Sequence, residues 1–97
     1  MEKITLFEQD LINVVCEFHA RFRHVNPADV EVELTYEDET GYGAEAYVNG
    51  QMDAYNQVNF ITAIRLYIDE NLQRDSMAAR IQFDIDDEHG MVAYLEF

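Results

Sequence analysis

Residues 30–48 read VEVELTYEDETGYGAEAYV, and they contain the pattern that recurs along the chain. Apolar residues from Val30 to Tyr36 alternate with Glu31, Glu33 and Thr35, a period of two that predicts a strand with one buried and one acidic face. An acidic, glycine-containing turn follows, and Ala44, Ala46 and Val48 then alternate with Glu45 and Tyr47. The stretch therefore predicts an antiparallel hairpin.

A similar hairpin pattern occurs 49 residues later, where IQFDI, DDEHG and MVAYLEF follow one another. Apolar residues at three- and four-residue spacing precede each hairpin and predict an amphipathic helix. Thr5 and Glu8 match a capping box, so we expect the first helix over residues 5–23. Asn56 or Asn59 is expected to cap a second helix that ends near Arg74.

These elements predict one α+β domain over residues 1–97, with pseudo-repeats at about 5–48 and 54–97. The predicted architecture is αββαββ, with two helices packed on one face of a four-stranded antiparallel sheet. Asn49-Gly50 leaves two alternatives open. The dipeptide favours a hairpin turn, which would make 51–55 a separate short strand, but it also fits a bulge within one longer strand.

The charge balance argues against several classes of partner. With 20 acidic and 6 basic residues, the formal net charge is −14, and such a field repels nucleic-acid phosphates and anionic membranes. The sequence has no apolar run of membrane-spanning length and no signal-peptide pattern. We therefore expect a cytoplasmic protein that binds neither nucleic acid nor membrane.

The outward face of the predicted sheet is acidic but also carries large uncharged side chains. A solvated sheet face is the simplest interpretation. The alternative is a protein interface, because tyrosine is enriched at interfaces, and a homodimer could form through sheet faces or edge strands. The candidate interface residues are Glu31, Glu33, Glu45, Tyr47, Val92 and Tyr94.

No catalytic, cofactor or metal site is predicted. Asp84, Asp86 and Glu88 begin like a calcium-binding loop, but the glycine is one position late and Leu95 replaces the final glutamate. Cys16 has only His19 as a nearby base at i+3, a weak basis for a nucleophile. The histidines are expected to be ordinary surface or boundary residues.

The segments FEQDLINVVC, VEVELTYEDETGYGAEAYVNG and NFITAIRLYIDENLQRDSMAARIQFDIDDEHGMVAYLEF together resemble the YxcD-like proteins. These are small acidic proteins of Bacillus-type bacteria with a domain of unknown function. The resemblance covers nearly the whole chain. It implies a cytoplasmic bacterial protein and no particular activity, cofactor or catalytic residue.

Three functional hypotheses follow. The first is a small non-enzymatic protein–protein interaction module that self-associates as a homodimer. The second is an acidic binder, or DNA mimic, that targets a basic protein surface. The third is a metal-binding protein or enzyme that uses the acidic turns or the Cys16 and His19 edge.

Overall fold

A computed structural model describes residues 2–97 and shows an α+β fold. The helices are α1 (Glu8–Arg23) and α2 (Gln57–Tyr67). A π-helical turn, Ile68–Leu72, extends α2. The strands are β1 (Lys3–Leu6), β2 (Glu31–Glu37), β3 (Gly41–Val48), β4 (Gln51–Tyr55), β5 (Arg80–Asp86) and β6 (Gly90–Glu96). Short 3-10 turns, Pro27–Asp29 and Ser76–Ala78, precede β2 and β5.

The prediction of one four-stranded sheet with both helices on one face is wrong. The described strands form two separate three-stranded antiparallel sheets, in the orders β1–β6–β5 and β2–β3–β4. Each predicted hairpin gains a third strand, and β2 and β5 end as edges that do not pair with each other. Strand β1 was not predicted from the sequence, and β4 was predicted only as one of two alternatives.

Strand β1 occupies residues that were predicted to open the first helix. Ile4 and Leu6 pair with Leu95 and Ala93 of β6, so the segment is held by ladder pairing. The capping box predicted at Thr5 is therefore not formed. The helix start is capped further along, where the Phe7 N–H donates to the Asp10 carboxylate at 2.9 Å.

The Asn49-Gly50 dipeptide forms a hairpin turn and not a bulge. Both residues have positive φ, 52° and 79°, as a two-residue turn between antiparallel strands requires. Strand β4 then pairs with β3 from Gln51↔Val48 to Tyr55↔Ala44. Of the two alternatives, a separate short strand is the one the structure shows.

The first strand of each half of the chain pairs with the last strand of the other half. β1 pairs with β6, the last strand of the other half, and β4 pairs in the same way with β3. A shift of 49 residues carries the β1–β6 register onto the β4–β3 register, since Lys3↔Glu96 becomes Met52↔Tyr47. The halves are therefore interlocked by backbone pairing as well as by side-chain packing.

The helices and the two sheets share one apolar core. Leu11 and Val15 of α1 and Phe60 and Ile64 of α2 are fully buried. Each such side chain stabilises the fold by about 1.5–3 kcal/mol. Both helices contact β3, whose small Ala44 and Ala46 side chains allow close approach. Within residues 2–97, no helix is long and apolar enough to cross a membrane.

Candidate functional site

A cavity of about 330 Å³ opens where α1, β4 and the start of α2 meet. It lies along strand β4, an edge of the β2–β3–β4 sheet. Its walls combine aromatic rings with a few polar groups, which is the usual composition of a small-molecule site. The main lining residues are Phe18, His19 and Phe22 of α1, Asp53 and Tyr55 of β4, and Asn59 of α2.

A buried histidine forms the polar centre of this region. His19 is 1% exposed, and its Nδ1 lies 2.8 Å from the Tyr55 hydroxyl oxygen. Its Nε2 is 3.4 Å from Oδ2 of Asp53, but it makes no hydrogen bond. The nearby carboxylate favours the tautomer that carries its proton on Nε2. In that tautomer Nδ1 accepts a hydrogen bond from the Tyr55 hydroxyl.

The protonation states of this pair follow from burial. Burial lowers the pKa of His19, an effect that Asp53 opposes and Arg23 reinforces. Burial, and secondarily the Asp53 charge, raises the pKa of Tyr55 to about 12. Near neutral pH the imidazole is therefore uncharged and the phenol retains the proton that it donates.

Arg23 connects the end of α1 to β4. Its Nη1 donates to Oδ2 of Asp53 at 2.8 Å, and its Nη2 donates to the Gln51 side-chain oxygen at 2.7 Å. Two donors of one planar group thus contact two residues on the same side of β4. This pairing fixes the position of the Asp53 carboxylate beside His19.

Strand β4 also presents an unpaired backbone edge. Because Val48 and Gln51 close a two-residue turn, Gln51, Asp53 and Tyr55 take the hydrogen-bonded positions opposite β3. The N–H and C=O groups of Met52 and Ala54 consequently point away from β3. Within residues 2–97 no group forms a hydrogen bond with them.

The predicted interface residues are divided between the two sheets. Glu31 pairs with Tyr47, and Glu33 with Glu45, on the β2–β3–β4 sheet, whereas Val92 and Tyr94 lie on β6. The Tyr47 hydroxyl donates to Glu45 at 2.8 Å, and this bond raises the pKa of Tyr47 to about 12. These four residues of the β2–β3–β4 sheet come together, while the two on β6 do not join them.

The two interface candidates on β6 differ in accessibility. Val92 was predicted to face outward, but only 1% of it is exposed. It therefore offers no contact area to a partner. Tyr94 is 39% exposed and remains on the surface.

Cys16 is in an environment that favours the neutral thiol. The half-buried sulfur lies 3.1 Å from the Pro27 carbonyl oxygen, to which the S–H donates. Burial, with a smaller effect from Glu17, raises its pKa. His19, its candidate base, is instead engaged with Tyr55. The thiol lacks the lowered pKa that a catalytic cysteine requires.

The acidic turn before β6 uses a carboxylate to hold its own backbone. Oδ1 of Asp86 accepts from the N–H groups of Glu88 at 2.7 Å and His89 at 3.2 Å. The first of these contacts is the largest cause of the lowered pKa of Asp86. Among residues 2–97, no group of three or more histidine, cysteine or acidic side chains is arranged to hold a metal ion.

The expectation that the histidines are surface or boundary residues is wrong for His19. A signal was available, because His19 follows Val15 by four residues and lies on the buried face of α1. Its partners Asp53 and Tyr55 are contributed by a strand assigned only as an alternative. Their meeting with His19 depends on the tertiary pairing of β4 and has no local sequence signature.

Comparison with known proteins gives a family but no activity. A family model described as "Protein of unknown function (DUF2653)" matches residues 1–88. No curated protein and no solved structure matches the chain.

Proposed function

From the premise that this chain belongs to the DUF2653 family of proteins of unknown function, we propose that it is a non-enzymatic interaction module that forms a homodimer through strand β4. The observation that supports this proposal is the free edge of β4. Unpaired strand edges are templates for pairing with another chain, and proteins normally protect them with charged residues or proline.

The four edge strands of the two sheets differ in this protection. Edge β2 carries Glu31 and Glu33 on its outward face, β5 carries Arg80 and Asp84, and β1 carries Lys3. On β4 the outward residues are Met52 and Ala54, which are uncharged and exposed. Among the described edges, β4 is therefore the one without an outward charge to discourage pairing.

A second copy fits this edge by simple strand geometry. Antiparallel pairing about a twofold axis at Asp53 places Met52 opposite Ala54 of the second copy, so their free N–H and C=O groups bond each other. The two Asp53 side chains would then be neighbours, which costs energy for like charges. Each carboxylate is already paired with Arg23 on its α1 side, and this reduces the repulsion.

Charge also favours the edge over a face-to-face dimer. The outer face of the β2–β3–β4 sheet carries Glu31, Glu33 and Glu45 without a lysine or arginine. Two such faces would repel each other. An edge contact keeps these acids in solvent, and because each subunit has a net charge of −14, we expect added salt to strengthen dimerisation.

The test is the mass of the reduced protein by light scattering over a range of protein and salt concentrations. We expect a dimer whose population rises with both. In Ala54→Pro, the lost N–H points to the free edge, so the β3–β4 ladder is retained while the dimer is lost. Thr5→Pro is the matched control, because it makes the same change at the equivalent position of β1 and should leave the dimer intact.

A second pair of variants tests the same edge without proline. Met52→Glu places like charges near the twofold axis and should yield a monomer, whereas Gln82→Glu adds the same charge on β5 and should not. A wild-type monomer under all conditions, or a dimer that survives Met52→Glu, overturns self-association through β4. A monomer leaves the basic-surface alternative, which charge reversal at Glu31 and Glu33 then tests.

The finer family assignment belongs to this proposal as well. We propose that the chain is a YxcD-like protein of a Bacillus-type bacterium and acts in the cytoplasm, as the sequence resemblance implies. Its partner is a second copy of itself, and the proposed role needs no cofactor or metal.

A further inference from the structure

We infer that the cavity beside β4 binds a small organic cation, namely a free amine with an aromatic or alkyl body. This site goes beyond the proposed dimer, because its polar groups, the Asp53 carboxylate and the Tyr55 hydroxyl, belong to the inner side chains of β4, although Ala54 of the dimer edge also lines the cavity. Three features of the cavity support the inference: the free Oδ1 of a carboxylate that is otherwise paired with Arg23, the aromatic walls and the size.

The carboxylate has one oxygen available to a ligand. Arg23 binds Oδ2 of Asp53, and Nε2 of His19 lies 3.4 Å from that same oxygen. Within residues 2–97 no group donates to Oδ1, and the Asp53 side chain is 43% exposed. A ligand ammonium that donates to Oδ1 would form a charge-assisted hydrogen bond.

The other polar groups of the wall also suit a hydrogen-bond donor. The Tyr55 hydroxyl uses its proton on His19, so its remaining lone pairs are acceptors. His19 is buried and uncharged, and it therefore adds no positive charge that would repel a cation. Its Nε2 is an unpartnered buried polar atom on the Asp53 side of the cavity.

Aromatic rings supply much of the remaining wall, beside Ala54, Asn59 and Thr62. Phe18 meets Tyr55 edge-on at a centroid distance of 5.9 Å, and Phe22 is 67% exposed at the mouth of the cavity. The faces of aromatic rings attract cations and also bury apolar groups, which is how aromatic cages recognise ammonium ligands. A ligand over Phe22 would cover a ring that is otherwise solvated.

The volume sets the size of the ligand. A cavity of about 330 Å³ corresponds to about eleven waters at ~30 Å³ each, so it fits a single-ring amine. The net charge of −14 further raises the local concentration of cations.

The test compares three probes of similar shape by calorimetry and amide NMR: phenethylammonium, 2-phenylethanol and phenylacetate. We expect affinity to fall in that order, with amide shifts at Ala54, Tyr55 and Asn59. Equal affinity for the three probes, no binding of phenethylammonium, or shifts confined to other parts of the chain would overturn the assignment.

Single substitutions test which cavity residues contribute to phenethylammonium binding. Asp53→Asn should weaken phenethylammonium binding about tenfold, the effect of one charged hydrogen bond. Glu39→Gln changes the net charge equally in an exposed turn and is the matched control. Phe22→Leu retains an apolar side chain but removes the ring face, and it should weaken phenethylammonium binding about threefold. Because Phe22 is exposed, this variant does not threaten folding.

The dimer and the cation site can be tested separately. Met52→Glu alters the outward edge and should still bind phenethylammonium as a monomer. Unchanged affinity in both Asp53→Asn and Phe22→Leu would exclude the cavity as the site, whatever the oligomeric state.

Discussion

Burial of His19 should make the stability of this protein depend on pH in a way that a single substitution removes. The imidazole is 1% exposed, and burial lowers its pKa below the unfolded value of 6.5. As pH falls through 6.5, the unfolded chain therefore binds a proton that the folded chain resists. The contribution of neutral His19 to stability is fully present above that pH and is lost as pH falls below it.

The expected size of this pH effect on stability follows from the thermodynamic linkage between protonation and unfolding. Between the folded and unfolded pKa values, one such histidine reduces the free energy of unfolding by up to about 1.4 kcal/mol per pH unit. At pH 6.5, where half of the unfolded histidines are protonated, the loss is at most about 0.4 kcal/mol. The twenty carboxylates also titrate, so the informative quantity is the difference between two variants.

The assay is urea unfolding of wild type and His19→Leu from slightly alkaline pH down to one unit below 6.5. We expect the wild type to lose stability relative to the variant as pH falls. His24→Gln, at an exposed histidine of the same chain, is the control and should follow the wild type. Parallel pH profiles for wild type and His19→Leu would refute the claim that burial holds His19 neutral.

Three further substitutions test the structure around β4. Tyr55→Phe should lower the free energy of unfolding by about 1–3 kcal/mol, because buried Nδ1 of His19 loses its hydrogen-bond partner; no loss in chemical denaturation would contradict that bond. Gly50→Ala should cost about 1 kcal/mol from its φ of 79° alone, since an added Cβ meets nothing within 4 Å. Gly43→Ala should cost more, because its Cβ would lie 2.5 Å from the Tyr55 carbonyl oxygen; equal thermal stability of the two glycine variants would contradict the packing of β4 against β3.

Local patterns predicted much of the secondary structure. The period-two alternation from Val30 onward found β2 and β3, and its repetition found β5 and β6, because half-buried strands need one apolar face. The helix that ends at Arg23 was found from its apolar stripe. Asn56 was one of two predicted caps, and its side chain accepts from the Asn59 N–H at 2.8 Å.

Strand β1 was missed because two local signals conflicted. Thr5 and Glu8 matched a helix cap, while Ile4 and Leu6 alternate like a strand too short to stand out. Pairing with β6 decides between them, since a four-residue strand is stable only beside a partner. The 49-residue shift, applied backward from Gln51–Tyr55, would have pointed to the same segment.

The sequence by itself determined the α+β class, the two hairpins, the helical stripes and the acidity, because each depends on neighbouring residues or on composition. Only the tertiary structure decided that the strands divide into two sheets and that β4 forms a free edge. It also decided that Asp53 and Tyr55 meet His19. Hydrogen-bond partners between strands and the neighbours of a buried side chain come from distant parts of the chain, and no local periodicity specifies them.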